Sequence, residues 1–335
     1  MTNHLGFAFL VSDSRSGSTL LSRELTARLD DVIVTTELNF DPVFDRGSMQ
    51  TSSPQRVAQQ VAAQPNFRTD TPATDESQAW ASGIAADGPG AARLFCGLVE
   101  RWLGSHARGA HPACVIIKNG SHARYAAEIC KVLGERVRFI FLVRDPRSVV
   151  ASKLRTRRPY APWEVMAWGG SLVAALRWRS YARNMARARA TGAKVLEVRY
   201  EDLVTDPDKV IGAIAGFCGC GLRDTAQPPA PYEVPAAERT IHTRATSEPI
   251  DASRLADWAA TLSARDTRIV EALCGSEMEL RGYAPTRART RLSRALICAT
   301  ALPQAARLVA VHFVNGLMGR LRGNGRGSQS AHPEN

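Results

Sequence analysis

Between Val11 and Leu21 the chain reads Val-Ser-Asp-Ser-Arg-Ser-Gly-Ser-Thr-Leu-Leu, a short loop rich in hydroxyls between an apolar run and a helical leucine pattern. That arrangement suits an anion. A helix N-terminus offers unpaired backbone N–H groups and the positive end of its dipole, and Gly17 lets the backbone come close. Ser14, Ser16, Ser18 and Thr19 add hydroxyl groups, and Arg15 adds a forked cation. The competing reading is an ordinary helix capped by Ser or Thr. A nucleoside-triphosphate loop would read G-x-x-x-x-G-K-[ST], but Ser18 stands where its lysine belongs and Ser12 where its first glycine belongs, which argues against a kinase or GTPase.

Further groups emerge from the ends of apolar runs. Arg144 ends Phe139–Val143, Pro146 opens a helix, and Ser152 lies eight residues beyond Arg144. Because Arg144 precedes the helix, the chain can bend so that both converge on one phosphate; the alternative is a capping Asp145 with arginines in solvent. Lys118 closes Val115-Ile116-Ile117, and Glu37 follows Val32–Thr36. Arg155, Arg157 and Arg158 form a basic cluster for which a solvated face is the commoner fate.

What must position these groups is a sheet. Apolar, β-branched runs at Leu5–Val11, Val32–Thr35, Ala113–Lys118, Val137–Val143 and Lys194–Arg199 predict five strands covered on both faces. Helical patterns alternate with them: Leu20, Leu21, Leu25 and Leu29, then Ala126, Ile129, Cys130 and Leu133, then a helix capped by Asp206-Pro207 ahead of Val210, Ile214 and Phe217. The fold class expected is α/β, a P-loop-like doubly wound parallel sheet flanked by helices, with ligands at the carboxyl ends of the strands. One domain is expected over 1–284. Residues 41–90 are a polar insertion whose clear helix candidate is Pro54–Ala63, read as a lid facing substrate or a plain surface loop.

The Ser14–Leu21 loop and the Arg144–Ser152 stretch, in this order and on these elements, resemble the two nucleotide-binding signatures of sulfotransferases that use 3′-phosphoadenosine 5′-phosphosulfate (PAPS). Val195–Leu203 followed by Asp206-Pro207, and Trp258 to Tyr283, are also similar to the family, so the resemblance covers roughly residues 5 to 283. It implies that Ser14–Thr19 grip the 5′-phosphosulfate and that Arg144 and Ser152 grip the 3′-phosphate. Tyr200 would lie near the adenosine, and Lys118 would act as a catalytic cation beside Arg15. The detail favours the carbohydrate and tyrosyl-protein branch, where a Glu after the second strand takes the acceptor proton, which implies Glu37. The rival base is His122. The small-phenol branch carries His two residues after the strand-three Lys, but that position is Gly120, and His122 falls four past Lys118. The expected products are a sulfated hydroxyl, on a saccharide, glycolipid or metabolite, and adenosine 3′,5′-bisphosphate, with no metal. A nucleotide-dependent kinase and a non-catalytic membrane-surface protein are the alternatives.

Composition sets bounds. The chain has 335 residues, 44% hydrophobic and 22% charged, which excludes a wholly disordered or fibrous chain. Of the net +11, about +7 sits in the last 51 residues, which carry eight Arg and one Glu; the body is not basic enough for a nucleic-acid partner. Residues 285–322 are read as a basic amphipathic helical extension, compatible with an anionic membrane surface or with a partner subunit in a homo-oligomer, and 323–335 as disordered. Seven cysteines, five standing alone and two as Cys218-Gly219-Cys220, read as reduced thiols rather than a disulfide framework or a zinc site. With no basic leader or cleavage pattern before Leu5, the expected location is cytoplasmic, with peripheral contact at the inner membrane face.

Overall fold

The computed structural model describes residues 5–64, 66–67, 90–107, 112–158, 161–224, 232, 234, 238–286 and isolated positions between 299 and 310. Its strands are β1 (Gly6–Val11), β2 (Val32–Glu37), β3 (Cys114–Lys118), β4 (Val137–Val143), β5 (Arg157–Arg158), β6 (Ala161–Val165) and β7 (Val195–Arg199). Five of them build one sheet in the order β2-β3-β1-β4-β7, every neighbouring pair parallel. β1, β3 and β4 are buried almost throughout, as a sheet covered on both faces requires. The order places β1 at the centre, with β3 on one side and β4 on the other, the doubly wound arrangement expected.

The helices are α1 (Ser18–Arg28), α2 (Asp41–Phe44), α3 (Arg46–Thr51), α4 (Pro54–Ala62), α5 (Gly90–His106), α6 (Ala126–Leu133), α7 (Pro146–Arg155), α8 (Gly170–Ala190), α9 (Tyr200–Thr205), α10 (Pro207–Cys218), α11 (Arg239–Ser247), α12 (Trp258–Thr261) and α13 (Ala264–Glu279). Two of their starts follow from sequence chemistry. The Asp145 carboxylate accepts from the Arg147 N–H, and that of Asp206 from the Lys209 N–H, each with proline in the first turn.

The chain divides into two compact units where the sequence reads one domain. The first comprises 1–144 and 180–255, the second 145–179 and 256–335. The first holds the sheet, and one of its cores joins Ala8, Leu10, Leu21, Leu25, Ile116 and Ile140 to Ile211 and Ile214. In the second, Arg147 is nearly buried; it pairs with Asp145 at 2.7 Å and Glu271 at 3.0 Å, and its guanidinium lies 4.1 Å from the Trp258 ring centroid.

The described part of the 41–90 insertion is folded. Residues 41–62 fold into α2, α3 and α4, and Val43, Phe44, Val57 and Val61 are buried with Phe40 and Phe67. Phe40 and Phe44 both meet the Phe95 ring, at 5.0 and 5.4 Å between centroids, so this half belongs to the core. Polar composition hid a few well-spaced aromatics. Residues 68–89, and most of the basic tail beyond Thr286, lie outside the described residues.

Candidate active site

Parallel pairing brings the carboxyl ends of the five strands to one edge, and the groups singled out above leave from it. After β1 the chain turns tightly: the Ser16 N–H donates to the Asp13 carbonyl at 3.2 Å. Arg15 (φ 70°) and Gly17 (φ 98°) then take left-handed backbone. Arginine rarely adopts that conformation, so local strain sits at the loop. Gly17 is required twice over, because a Cβ there would lie 2.3 Å from Cδ2 of Tyr200. Gly17 itself is the N-cap of α1, and no side chain caps that helix, contrary to the ordinary Ser/Thr-capped alternative. The first-turn N–H groups of Ser18 and Thr19 therefore have no side-chain cap, an arrangement that suits an anion.

Cations gather there. The Arg15 guanidinium donates to the Ile241 carbonyl at 3.4 Å; burial, then the neighbouring Arg144, holds its pKa below the usual arginine value. Arg144 leaves β4, donates to the Arg15 carbonyl at 3.4 Å, and stacks with its guanidinium carbon 4.2 Å from the Tyr200 ring centroid. Tyr200, first residue of α9, is thus wedged between Gly17 and Arg144. Two guanidinium groups held together and partly out of water favour a multiply charged anionic ligand.

Lys118 is only 3% exposed at the end of β3 and donates to Thr19 Oγ1 at 3.2 Å. Burial alone pushes its pKa down, but Tyr232, Glu37 and Glu238 outweigh that and hold it above the ordinary lysine value, so the ammonium stays charged. Glu37 ends β2 rather than following it. A register shift after Val34 pairs it with Lys118, and its carboxylate lies 3.9 Å from Lys118 Nζ with its side chain half exposed. A buried cation and an accessible carboxylate are therefore neighbours at the strand ends.

His122 is fully buried in the turn Gly120–Tyr125, where Nε2 accepts the Phe40 N–H at 3.0 Å, and burial lowers its pKa to about 3. With that lone pair used inside the core, it is a poor candidate for the base. Gly120 explains the missing histidine at its own position: a Cβ would sit 2.2 Å from the Ser12 carbonyl oxygen. Ser152 lies on α7 in the second unit. Arg158 of the basic cluster is exposed and pairs with Glu164 at 3.0 Å, in keeping with a solvated face.

Sequence reasoning missed His242. It rides on α11, with Nδ1 3.2 Å from Thr19 Oγ1 and Nε2 3.7 Å from Glu238. Burial first, then Lys118 and Arg15, lowers its pKa to about 3, so a neutral ring meets the loop. Thr19 Oγ1 can accept from Lys118 and donate to His242. No local pattern in Arg239–Ser247 announces this role; only tertiary packing of α11 on α1 creates it.

A model described as the sulfotransferase family matches residues 8–224. Over 166 residues the chain is 31% identical to carbohydrate sulfotransferase 5 of Mus musculus, a match spanning 44% of this chain and 42% of that relative. Among solved structures, the sulfotransferase domain of the Synechococcus PCC 7002 olefin synthase is 22% identical with a TM-score of 0.49, covering 88% of this chain and 93% of that one. The sulfotransferase of Alicyclobacillus acidocaldarius is 14% identical with a TM-score of 0.37, covering 80% and 95%. Since the family model spans more than half of its length, this chain belongs to the sulfotransferase family.

Proposed function

We propose that the chain moves a sulfuryl group from PAPS to an acceptor hydroxyl, releasing adenosine 3′,5′-bisphosphate. The observation that carries this reading is the uncapped α1 N-terminus beside Arg15, Lys118 and Arg144, a concentration of positive charge around a glycine turn. The residues of the first unit suit the nucleotide: Ser14–Thr19 and Lys118 its 5′ end, and Arg144, with Tyr200 beneath it, the 3′-phosphate. When bound, the donor supplies an electrophilic sulfur on a phosphate leaving group.

The chain's own groups do the rest. Glu37 accepts the hydroxyl proton as the acceptor oxygen bonds to sulfur and the bond from sulfur to the bridging oxygen breaks. Lys118, Arg15 and the loop N–H groups take up the charge that develops on that oxygen, by analogy with phosphoryl transfer. The hydroxyl of a saccharide or glycolipid is the favoured acceptor, supported by the 31% identity to a carbohydrate sulfotransferase.

Turnover assays across saccharide, glycolipid, phenol and peptide-tyrosine acceptors, following release of the bisphosphate, test the reading. Glu37→Gln should retain nucleotide binding while cutting turnover by about 10²–10⁴-fold. Normal turnover in that variant would remove Glu37 from the role of base.

A further inference from the structure

The one cysteine pattern visible in the sequence, Cys218-Gly219-Cys220, plays no part in the site above, yet the fold adds a third thiol to it. α10 ends at Cys218, and Gly219 (φ 72°) reverses the chain in a left-handed cap, with the Cys220 N–H returning to the Ala215 carbonyl at 2.9 Å. The next residues are stitched to the end of α1: the Asp30 N–H donates to the Gly221 carbonyl at 3.0 Å, and Arg223 pairs with Asp30 at 3.4 Å. The neighbouring Asp31 carbonyl accepts the Cys114 N–H at 3.3 Å, so one short turn fixes both β3 and the cysteine loop. Cys114, the first residue of β3, thereby comes within thiol hydrogen-bonding reach of both Cys218 and Cys220.

The three thiols are not equivalent. Cys114 and Cys218 are buried in the core, whereas Cys220 is only partly buried and packs at its margin. The hydrogen bond from Cys114 lowers the Cys220 pKa, burial opposes, Arg138 lowers it further and Asp31 opposes; the net is below an ordinary thiol. The Cys114 thiol is raised, first by its hydrogen bonds to Cys218 and Cys220. A partly exposed thiol whose pKa is lowered, beside a buried thiol whose pKa is raised, is the division of labour that oxidation to a disulfide needs. Among the described residues no three His, Cys, Asp or Glu groups are placed to hold a metal ion.

We propose that Cys220 is an oxidation site and Cys114 its resolving partner, closing a Cys114–Cys220 disulfide at the end of the sheet opposite the phosphate loop. The co-reactant is a hydroperoxide. The Cys220 thiolate attacks its distal oxygen, the O–O bond breaks, and the alkoxide leaves as alcohol (water from hydrogen peroxide) after taking a proton. Cys220 is then a sulfenic acid. Cys114 sulfur attacks the Cys220 sulfur, the S–O bond breaks, and water leaves carrying the Cys114 proton. Two thiols are oxidised by two electrons in total, and one peroxide is reduced.

The test treats the full reduced chain with a small excess of hydrogen peroxide and maps its peptides by mass spectrometry without reduction. The expected result is a Cys114–Cys220 linked peptide, two hydrogens lighter than its parts and restored by dithiothreitol. Cys218→Ser should keep that link. Cys114→Ser should instead leave Cys220 trappable as a sulfenic acid by dimedone; because Cys114 is a core residue, native circular dichroism is the control, and Cys220→Ser, at the less buried site, gives an independent loss of the link. Oxidation of Cys96 or Cys130 ahead of Cys220, or a link joining Cys218 to Cys220 in place of Cys114, would overturn the proposal. The test needs no nucleotide and stands or falls independently of the sulfotransferase reading.

Discussion

Thr19 Oγ1 is where the site's cation and its hidden histidine meet, 3.2 Å from Lys118 Nζ and 3.2 Å from His242 Nδ1. Lys118→Met should preserve the fold and lower turnover about 10²–10³-fold, the usual effect of removing one donor aimed at developing charge; a steady-state assay checks it. Gly17→Ala forces a Cβ into Tyr200 and a left-handed backbone costing about 1–2 kcal/mol, so urea unfolding should show that loss together with weakened bisphosphate binding. His242 and His122 both have pKa values lowered to about 3, against about 6.5 when unfolded. The unfolded chain therefore binds protons first on acidification. The stability this confers is complete above about pH 6.5 and is lost as pH falls toward 3, by roughly 1.4 kcal/mol per pH unit for each histidine. Unfolding midpoints between pH 8 and 4 should fall accordingly, and His242→Gln should flatten the slope; an unchanged slope would mean that His242 is not held neutral. At this scale the placement of Glu37, Lys118 and the loop was legible, because strand ends and a glycine turn mark it locally. His242 lies 223 residues from Thr19 and no spacing rule reaches it.

The elements carry these groups through parallel pairing, and most of them could be read from the chain. Runs such as Cys114–Lys118 and Val137–Val143 are apolar because both sheet faces are covered, and that signal is local. α2 and α3 escaped, since four- and six-residue helices show no periodicity, and it is burial of Phe40, Val43 and Phe44 that ties this stretch to the core. The second unit depends on a network that composition could not reveal. The Glu271 carboxylate holds Arg147 at 3.0 Å and accepts both the N–H and the hydroxyl of Thr286, at 2.9 and 3.0 Å. Glu271→Ala leaves Arg147 with Asp145 as its remaining carboxylate partner, and chemical denaturation should show a loss of about 3 kcal/mol. A loss below about 1 kcal/mol would mean that water replaces the pair.

Over the whole molecule, net charge alone says little, because about +7 of the +11 belongs to the last 51 residues and not to the body bearing the sheet. The concentration that matters is local: Arg15, Arg144 and Lys118 at one sheet edge, two of them donating to groups of the phosphate loop itself. That edge should select a doubly phosphorylated adenosine over a triphosphate with magnesium, since Ser18 replaces the lysine a triphosphate loop uses. Isothermal titration of adenosine 3′,5′-bisphosphate into the purified chain, alongside ATP with magnesium, tests this directly. The predicted result is saturable one-to-one binding of the bisphosphate, weakened by about 1.5–3 kcal/mol in Arg144→Ala. The contradicting result is no bisphosphate binding, or tighter binding of ATP with magnesium.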